Sequence, residues 1–250
     1  MLCGAAGPTV FCTSYRVIQR EHGMKVLAIV PAYNEEEALL GTVTMLKEAC
    51  PSIDYLIVND GSSDHTADII RNKHLNGVSL PVNCGLTSGI RTGMKYAWRK
   101  GYDAAVQIDA DGQHLPEYIP QMASAMRQNS ADIVIASRYL DGSVKPEGAR
   151  GVGSKLISGL IKMTTGTTIT DPTSGMRMYN RRMIEFFATG FDVAPEPDTV
   201  AYVARKGGTV IEIPCTMRER QGGESYLKLS NAIRYMARTC LSILLFQWLR

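Results

Sequence analysis

The sequence predicts an α/β fold, a mostly parallel, Rossmann-like sheet flanked by helices. Strand-length apolar, β-branched runs recur at Val26–Pro31, Tyr55–Asn59, Ala104–Ile108, Ile133–Ser137 and Val210–Pro214. Helical patterns with apolar residues three and four apart lie between the early runs, at Glu36–Ala49, Thr66–Asn72, Ser88–Lys100 and Pro116–Arg127. Polar clusters then follow the carboxyl ends of three strands, where open α/β sheets bind ligands.

Taken in chain order, residues 1–23 come first and are set apart from the fold. MLCGAAGPTVFC has no charged n-region, and Gly7-Pro8 breaks its apolar run, so it fits a secretory signal poorly. It reads as a disordered or upstream-start extension. Periodic structure begins at Met24.

The first strand runs into PAYNEE, where Pro31 stops it and Asn34 can cap the next helix. The second runs into NDGSSD, where Gly61 permits a tight turn and Ser62 to Asp64 can cap. Taken singly, each is equally a capped strand-to-helix turn or a ligand site. The third runs into DADGQH. In an extended chain Asp109 and Asp111 would point to one side, and two crowded carboxylates need a cation. Mg²⁺ or Mn²⁺ prefers oxygen ligands and shares its shell with substrate phosphates, and the Gln113 carboxamide can supply a third oxygen. His114 is assigned no role.

The second half is less regular. It holds a Gly- and Lys-containing stretch at Asp141–Lys155, a helix-like Lys155–Met163 and a turn-rich DPTSG at Asp171–Gly175. From Ser225 the chain is helical, and Thr239 to Leu249 is almost wholly apolar. That run is shorter than the roughly 20 residues a bilayer span takes.

Composition excludes several classes. With 27 basic and 24 acidic residues the net charge is only +3, and no basic block suggests nucleic-acid binding. Six scattered cysteines without a CxxC pair fit neither a disulfide framework nor a zinc site, and favour a reducing, cytoplasmic interior. GxGxxG, HExxH and GxSxG are absent. GARGVGSK, Gly148–Lys155, nearly spells a phosphate-binding GxxxxGK[ST], but its last two residues are reversed and no apolar strand precedes it.

The ordered set PAYNEE, NDGSSD, NxGxxxGxRTG (Asn83–Gly93), DADGQH, ASRY (Ala136–Tyr139) and DPTSGMR resembles the family 2 glycosyltransferases of the GT-A fold. DADGQH and TSGMR are most similar to the polyprenyl-phosphate sugar transferases, the dolichyl-phosphate mannose synthase type. The likeness spans Met24 to about Ser225, leaving 226–250 as a C-terminal amphipathic helix.

By that resemblance, Pro31, Tyr33 and Glu35 hold the nucleotide, Asp60 reads its base, and Asp109, Asp111 and Gln113 bind the metal on the donor diphosphate. Arg138, Arg150 and Ser154 match groups that hold an acceptor phosphate, and Arg220 in MRERQGGES is a candidate clamp on the donor. A phosphate acceptor is already anionic and needs arginines more than a base. A sugar hydroxyl would need a carboxylate base, for which Glu196 and Asp198 are the candidates. The chain has Glu196-Pro197-Asp198 where many members have a Glu-Asp pair, and the same residues also suit an acidic helix start.

The expected activity is transfer of a sugar from a nucleotide-diphosphate donor to a polyprenyl-phosphate or other lipid-linked acceptor. Two rivals are the same fold acting on a sugar hydroxyl in polysaccharide synthesis, and a non-catalytic nucleotide-sugar-binding subunit. The C-terminal helix would lie on the inner face of a membrane through Leu244, Phe246 and Trp248, with Arg234 and Arg238 at lipid phosphates. The competing expectation packs it on its own domain or on a second subunit of a homo-oligomer.

Overall fold

The computed structural model describes residues 23–142, 148–190, 193–218 and 229–245, with backbone alone at 148–150 and 229–233. Strand β1 (Val26–Ala32) leads through helix α1 (Leu39–Ala49) to β2 (Asp54–Asn59), α2 (Thr66–Asn72) and the short β3 (Gly77–Ser79). Next come α3 (Leu86–Arg99), β4 (Ala104–Gln107), a 3₁₀ turn at Pro116–Tyr118, α4 (Ile119–Gln128) and β5 (Ile133–Ser137). The second half adds α5 (Gly148–Thr165), β6 (Arg177–Asn180), α6 (Arg181–Thr189), α7 (Pro197–Arg205), β7 (Val210–Pro214) and α8 (Leu229–Leu244).

The seven strands of the described residues form one sheet in the order β3-β2-β1-β4-β6-β5-β7. It is parallel throughout except for β6, which runs antiparallel to both β4 and β5. Every residue of β1 is buried, as an unbroken apolar run at the centre of a two-sided sheet should be. Ala28 and Val30 face one core with Leu39, Val43, Leu46, Ile119 and Met122 of α1 and α4. Leu27 and Ile29 face the other with residues of α3, α5, α6 and α7.

Helix α3 lies tight on β1, because a Cβ at Gly93 would sit 2.4 Å from Ile29 Cγ2. Chain order reverses between β1 and β4, which opens a crevice beyond their carboxyl ends. PAYNEE and DADGQH flank it.

Strands β3 and β6 and helix α6 escaped the sequence reading. Helix α5 starts at Gly148 rather than Lys155, so the GARGVGSK segment is helical and forms no phosphate loop. Helix α8 packs against α5 and α7. Tyr235, Met236, Thr239 and Ile243 turn inward to varying depth, while Arg234, Arg238, Leu241 and Leu244 stay exposed. Phe246 and Trp248 lie outside the described residues.

Candidate active site

The first two loops interlock. Asn34, at φ 55°, adopts a left-handed conformation that asparagine tolerates, and its Oδ1 accepts the Ser63 N–H at 2.8 Å. In return the Asn34 N–H donates to Ser62 Oγ at 3.0 Å. The Glu36 N–H donates to Asp64 Oδ2, the His65 N–H to Glu36 Oε2 and the Glu35 N–H to Thr66 Oγ. Asn34 therefore does not cap α1, which has no side-chain cap; it ties PAYNEE to NDGSSD. Burial works against the Asp64 charge, but hydrogen bonds from Thr66 and from the Glu36 N–H hold its carboxyl below the usual range.

Asp60 follows β2 and is buried, with its two oxygens accepting the Cys84 and Gly85 N–H groups at 2.8 Å each. Gly61, at φ +66°, lies under the same loop, where a Cβ would come within 2.4 Å of the Val82 carbonyl carbon. Asp60 thus draws the start of α3 over the first two loops, while each oxygen keeps a lone pair for a further donor. Pro31 is buried at the end of β1, and Tyr33 and Glu35 are half-buried beside it.

The DADGQH segment departs from the extended geometry expected of it. Strand β4 ends at Gln107, and a turn at Ala110-Asp111, completed by Gly112 at φ +77°, folds the chain back. Asp109 remains open, its side chain 37% exposed. Asp111 is buried in its own turn, where Oδ1 accepts the Gln113 N–H at 3.0 Å. The strand's alternation stops too early to set both carboxylates on one side, and within the turn Asp109 stays open while Asp111 is tucked in.

Neighbouring elements fix that turn. The buried Thr42 of α1 donates its hydroxyl to Ala110 O at 2.8 Å. Buried His114 accepts the Asp109 N–H on Nδ1 at 2.9 Å, which leaves its proton on Nε2, 3.7 Å from Asp109 Oδ2. A Cβ at Gly175 would lie 2.9 Å from the same Oδ2, so the glycine of TSG leaves room beside the carboxylate. Among the described residues, no three His, Cys, Asp or Glu side chains gather into a metal cluster. Two carboxylates and a carboxamide within one turn, open at Asp109 and kept clear by Gly175, nonetheless suit a hard divalent cation that completes its shell with phosphate oxygens.

On the other side of β4, Arg138 follows β5 directly. Its Nε and Nη2 donate to the two oxygens of Asp171 at 2.6 and 2.8 Å, and Asp171 is fully buried. That carboxylate keeps the guanidinium charged, its pKa above the ordinary arginine value. Thr173 Oγ lies 3.3 Å from both Arg138 Nη2 and Ser154 Oγ, so the expected acceptor residues Arg138 and Ser154 are bridged by Thr173. Glu212 of β7 holds the loop from below, accepting the Thr170 and Asp171 N–H groups at 2.7 and 2.8 Å. Arg150 lies in the first turn of α5, where only the backbone is described.

Glu196 and Asp198 are engaged elsewhere. Tyr235 of α8 donates to Glu196 Oε2 at 2.7 Å, and Ser242 donates to Asp198 Oδ2 at 2.5 Å. Beneath them the buried Arg177 donates to Pro172 O and Pro195 O, stapling the TSG loop to the start of α7. Arg220 lies outside the described residues. Thr42, Asp171, Thr173 and Glu212 were missed from sequence; Asp171 and Thr173 lie in the DPTSGMR motif, which was read as a turn and as part of the family likeness without a role for either residue.

The sheet, with its polar loops gathered at the reversal between β1 and β4, has the GT-A-type arrangement that the sequence resemblance implies. The chain matches the model of glycosyl transferase family 2 over residues 27–187, and it belongs to that family. It is 36% identical over 225 residues to an undecaprenyl-phosphate mannosyltransferase of Micrococcus luteus, spanning 84% of this chain and 89% of that one. It is 32% identical to a polyprenol monophosphomannose synthase of Mycolicibacterium smegmatis, over 83% and 82% of the two chains. Its fold is similar to that of glucosyl-3-phosphoglycerate synthase from Mycobacterium tuberculosis, solved with Mn²⁺, UDP and phosphoglyceric acid. There the TM-score is 0.69 at 16% identity, covering 97% of this chain and 84% of the other. The protein is therefore an enzyme rather than a binding subunit.

Proposed function

We propose that this glycosyltransferase moves a sugar from a nucleotide-diphosphate donor to the phosphate of a polyprenyl phosphate, with a divalent cation held at Asp109, Asp111 and Gln113. The two bacterial relatives named for polyprenyl acceptors support the acceptor class, and the manganese–UDP complex of the structural relative supports the donor and the cation. Bound there, Mg²⁺ or Mn²⁺ would stabilise charge on the departing diphosphate.

One observation carries the choice of acceptor: Glu196 and Asp198 accept hydroxyls of α8. A sugar hydroxyl needs a base to take its proton. A phosphate monoester, with its second pKa near about 6, is mostly dianionic at neutral pH and needs only to be placed. Arg138, braced by Asp171 and joined to Ser154 through Thr173, is a charged group suited to placing it.

A second reading sends the sugar to a hydroxyl, of a growing glycan or of a small phosphorylated acid. The fold shared with the phosphoglycerate enzyme favours it. Transfer of labelled sugar, measured with Mn²⁺ against polyprenyl phosphate, phosphoglycerate and oligosaccharide, separates the two. We expect label in the lipid phosphate, with Asp198→Asn and Glu196→Gln each keeping turnover within about tenfold in variants that stay folded. A loss of about a thousandfold in either, or label only in a hydroxyl acceptor, overturns the phosphate reading.

A further inference from the structure

We infer that Arg177 is a positioning residue for the acceptor: by holding the Pro172 carbonyl it sets the loop that aims Arg138. Arg177 opens β6, pairs its backbone with Ile135 of β5 and is only 4% exposed. Its Nη2 donates to Pro172 O at 2.7 Å and its Nη1 to Pro195 O at 2.8 Å; among the described residues the guanidinium bonds no carboxylate. A fully buried cation is rare unless it is paired, and here two loop carbonyls stand where a carboxylate usually does. Only a rigid fork reaches both in one fixed geometry, which the point charge of a lysine does not.

Pro172 stands between Asp171 and Thr173, the side chains that engage the Arg138 guanidinium. It has no N–H, so the carbonyl is its one backbone handle. The loop is fastened separately to either side. Glu212 accepts the Thr170 and Asp171 N–H groups, and the Ser174 hydroxyl donates to Ala136 O at 2.6 Å. Between those anchors Arg177 holds the stretch from which Asp171 and Thr173 project. Gly175, beside Asp109, lies past the Ser174 anchor, so the acceptor end leans on Arg177 and the cation end does not.

The other prong reaches α7. Pro195 precedes Glu196, the N-cap residue of α7, whose Oε2 accepts the Tyr235 hydroxyl of α8. Burial works against the Arg177 charge, but Tyr179, Tyr235 and Glu196 outweigh it and hold the guanidinium above the ordinary arginine value. Glu196 thus has a task that needs no proton transfer: it balances the cation that steadies the acceptor loop.

The inference rests on the reading of Arg138 as the group that meets the acceptor phosphate. Equilibrium binding of two soluble phosphate monoesters to the full chain, farnesyl phosphate and phosphoglycerate, tests it beside binding of GDP and UDP with Mn²⁺. Folded Arg177→Lys should bind whichever monoester the wild type binds about tenfold more weakly, with nucleotide affinity kept within about twofold. Combined with Asp171→Asn it should lose little more than either variant alone, because both act through one loop. Should Arg177→Lys not fold, Arg177→Met with Glu196→Gln removes both buried charges and should weaken the monoester equally, while Glu196→Gln alone, which keeps the fork, stays near wild type. Unchanged monoester binding in these variants, equal weakening of nucleotide, or an additive loss of about a hundredfold with Asp171→Asn overturns the inference. The acceptor reading fails separately. A wild type that binds phosphoglycerate but not farnesyl phosphate removes the prenyl acceptor and leaves Arg177 to be judged on phosphoglycerate, whereas a wild type that binds neither overturns both.

Discussion

Asp109 owes its place to one residue of its own motif and one far from it. His114 holds its backbone N–H, and Gly175, far along the chain, vacates the space beside Oδ2. Gly175→Ala would crowd both the Asp109 carboxylate and, at 3.0 Å, Cε1 of the buried His114, so it should cost some stability as well as disturb the proposed cation site, and is to be read in protein that stays folded. We expect the Mn²⁺ concentration for half-maximal transfer to rise about tenfold, an order-of-magnitude figure for losing one well-placed ligand. An unchanged metal requirement would remove Asp109 from the site. On the acceptor side, Asp171→Asn should free Arg138 to wander. The KM for acceptor should rise about tenfold with little change in the KM for donor, whereas a purely structural Asp171 would move both alike. Asp109, Asp111, Asp60 and Arg138 stand out in the sequence as candidates because each lies in a short motif at a strand end, though Asp60 and Arg138 take their roles from the family resemblance. Asp171, Thr173 and Glu212 do not, because their partners lie 19 to 42 residues away and appear only when β5, β6 and β7 come together.

Among elements, the parallel half of the sheet was readable because each strand is a dense apolar run followed by an amphipathic helix. Strand β6 was not: RMYN is short, opens with a buried arginine and gains its partners only by inserting between β4 and β5. The same insertion places Asn180, which caps α6 through the Met183 N–H and so explains the helix that periodicity missed. Packing of α3 on β1 gives a direct check, since Ile29 is buried and cannot retreat. Gly93→Ala should lower stability by about 1–3 kcal/mol, read as a drop in the denaturant midpoint at unchanged slope. No shift in the midpoint would mean the two elements are not in contact.

From its place before β5, Asp132 joins three further segments, taking Arg182 of α6 at 2.5 Å, Asn180 at the end of β6 at 2.8 Å and the Thr209 N–H before β7 at 2.9 Å. Burial alone would raise its pKa, but Arg182 and the other donors outweigh it and hold the carboxyl below the usual range. A depressed carboxyl contributes stability that is full above the unfolded value of about 4 and is lost as pH falls through the folded one. Stability should therefore fall more steeply on acidification in the wild type than in Asp132→Asn. Equal slopes would deny the carboxylate this role.

At the scale of the whole molecule, the polar loops gather at one edge of the sheet, and α8 packs on α5 and α7. The C-terminal helix was recognisable as amphipathic, but the partner it packs on could not be read from one segment. That depended on Glu196 and Asp198, whose carboxylates the sequence offered equally as bases or as a helix start. They serve here as acceptors for α8. The donor side remains the firmest link between sequence and chemistry, because Asp109, Asp111 and Gln113 share one turn. Isothermal titration of the full chain with nucleotide sugars, with and without Mn²⁺, examines that link without requiring turnover. We expect a nucleotide sugar to bind with Mn²⁺ present and to weaken about tenfold or more on chelation or in folded Asp109→Asn. Equal uptake with and without the metal, unchanged in Asp109→Asn, would contradict the account.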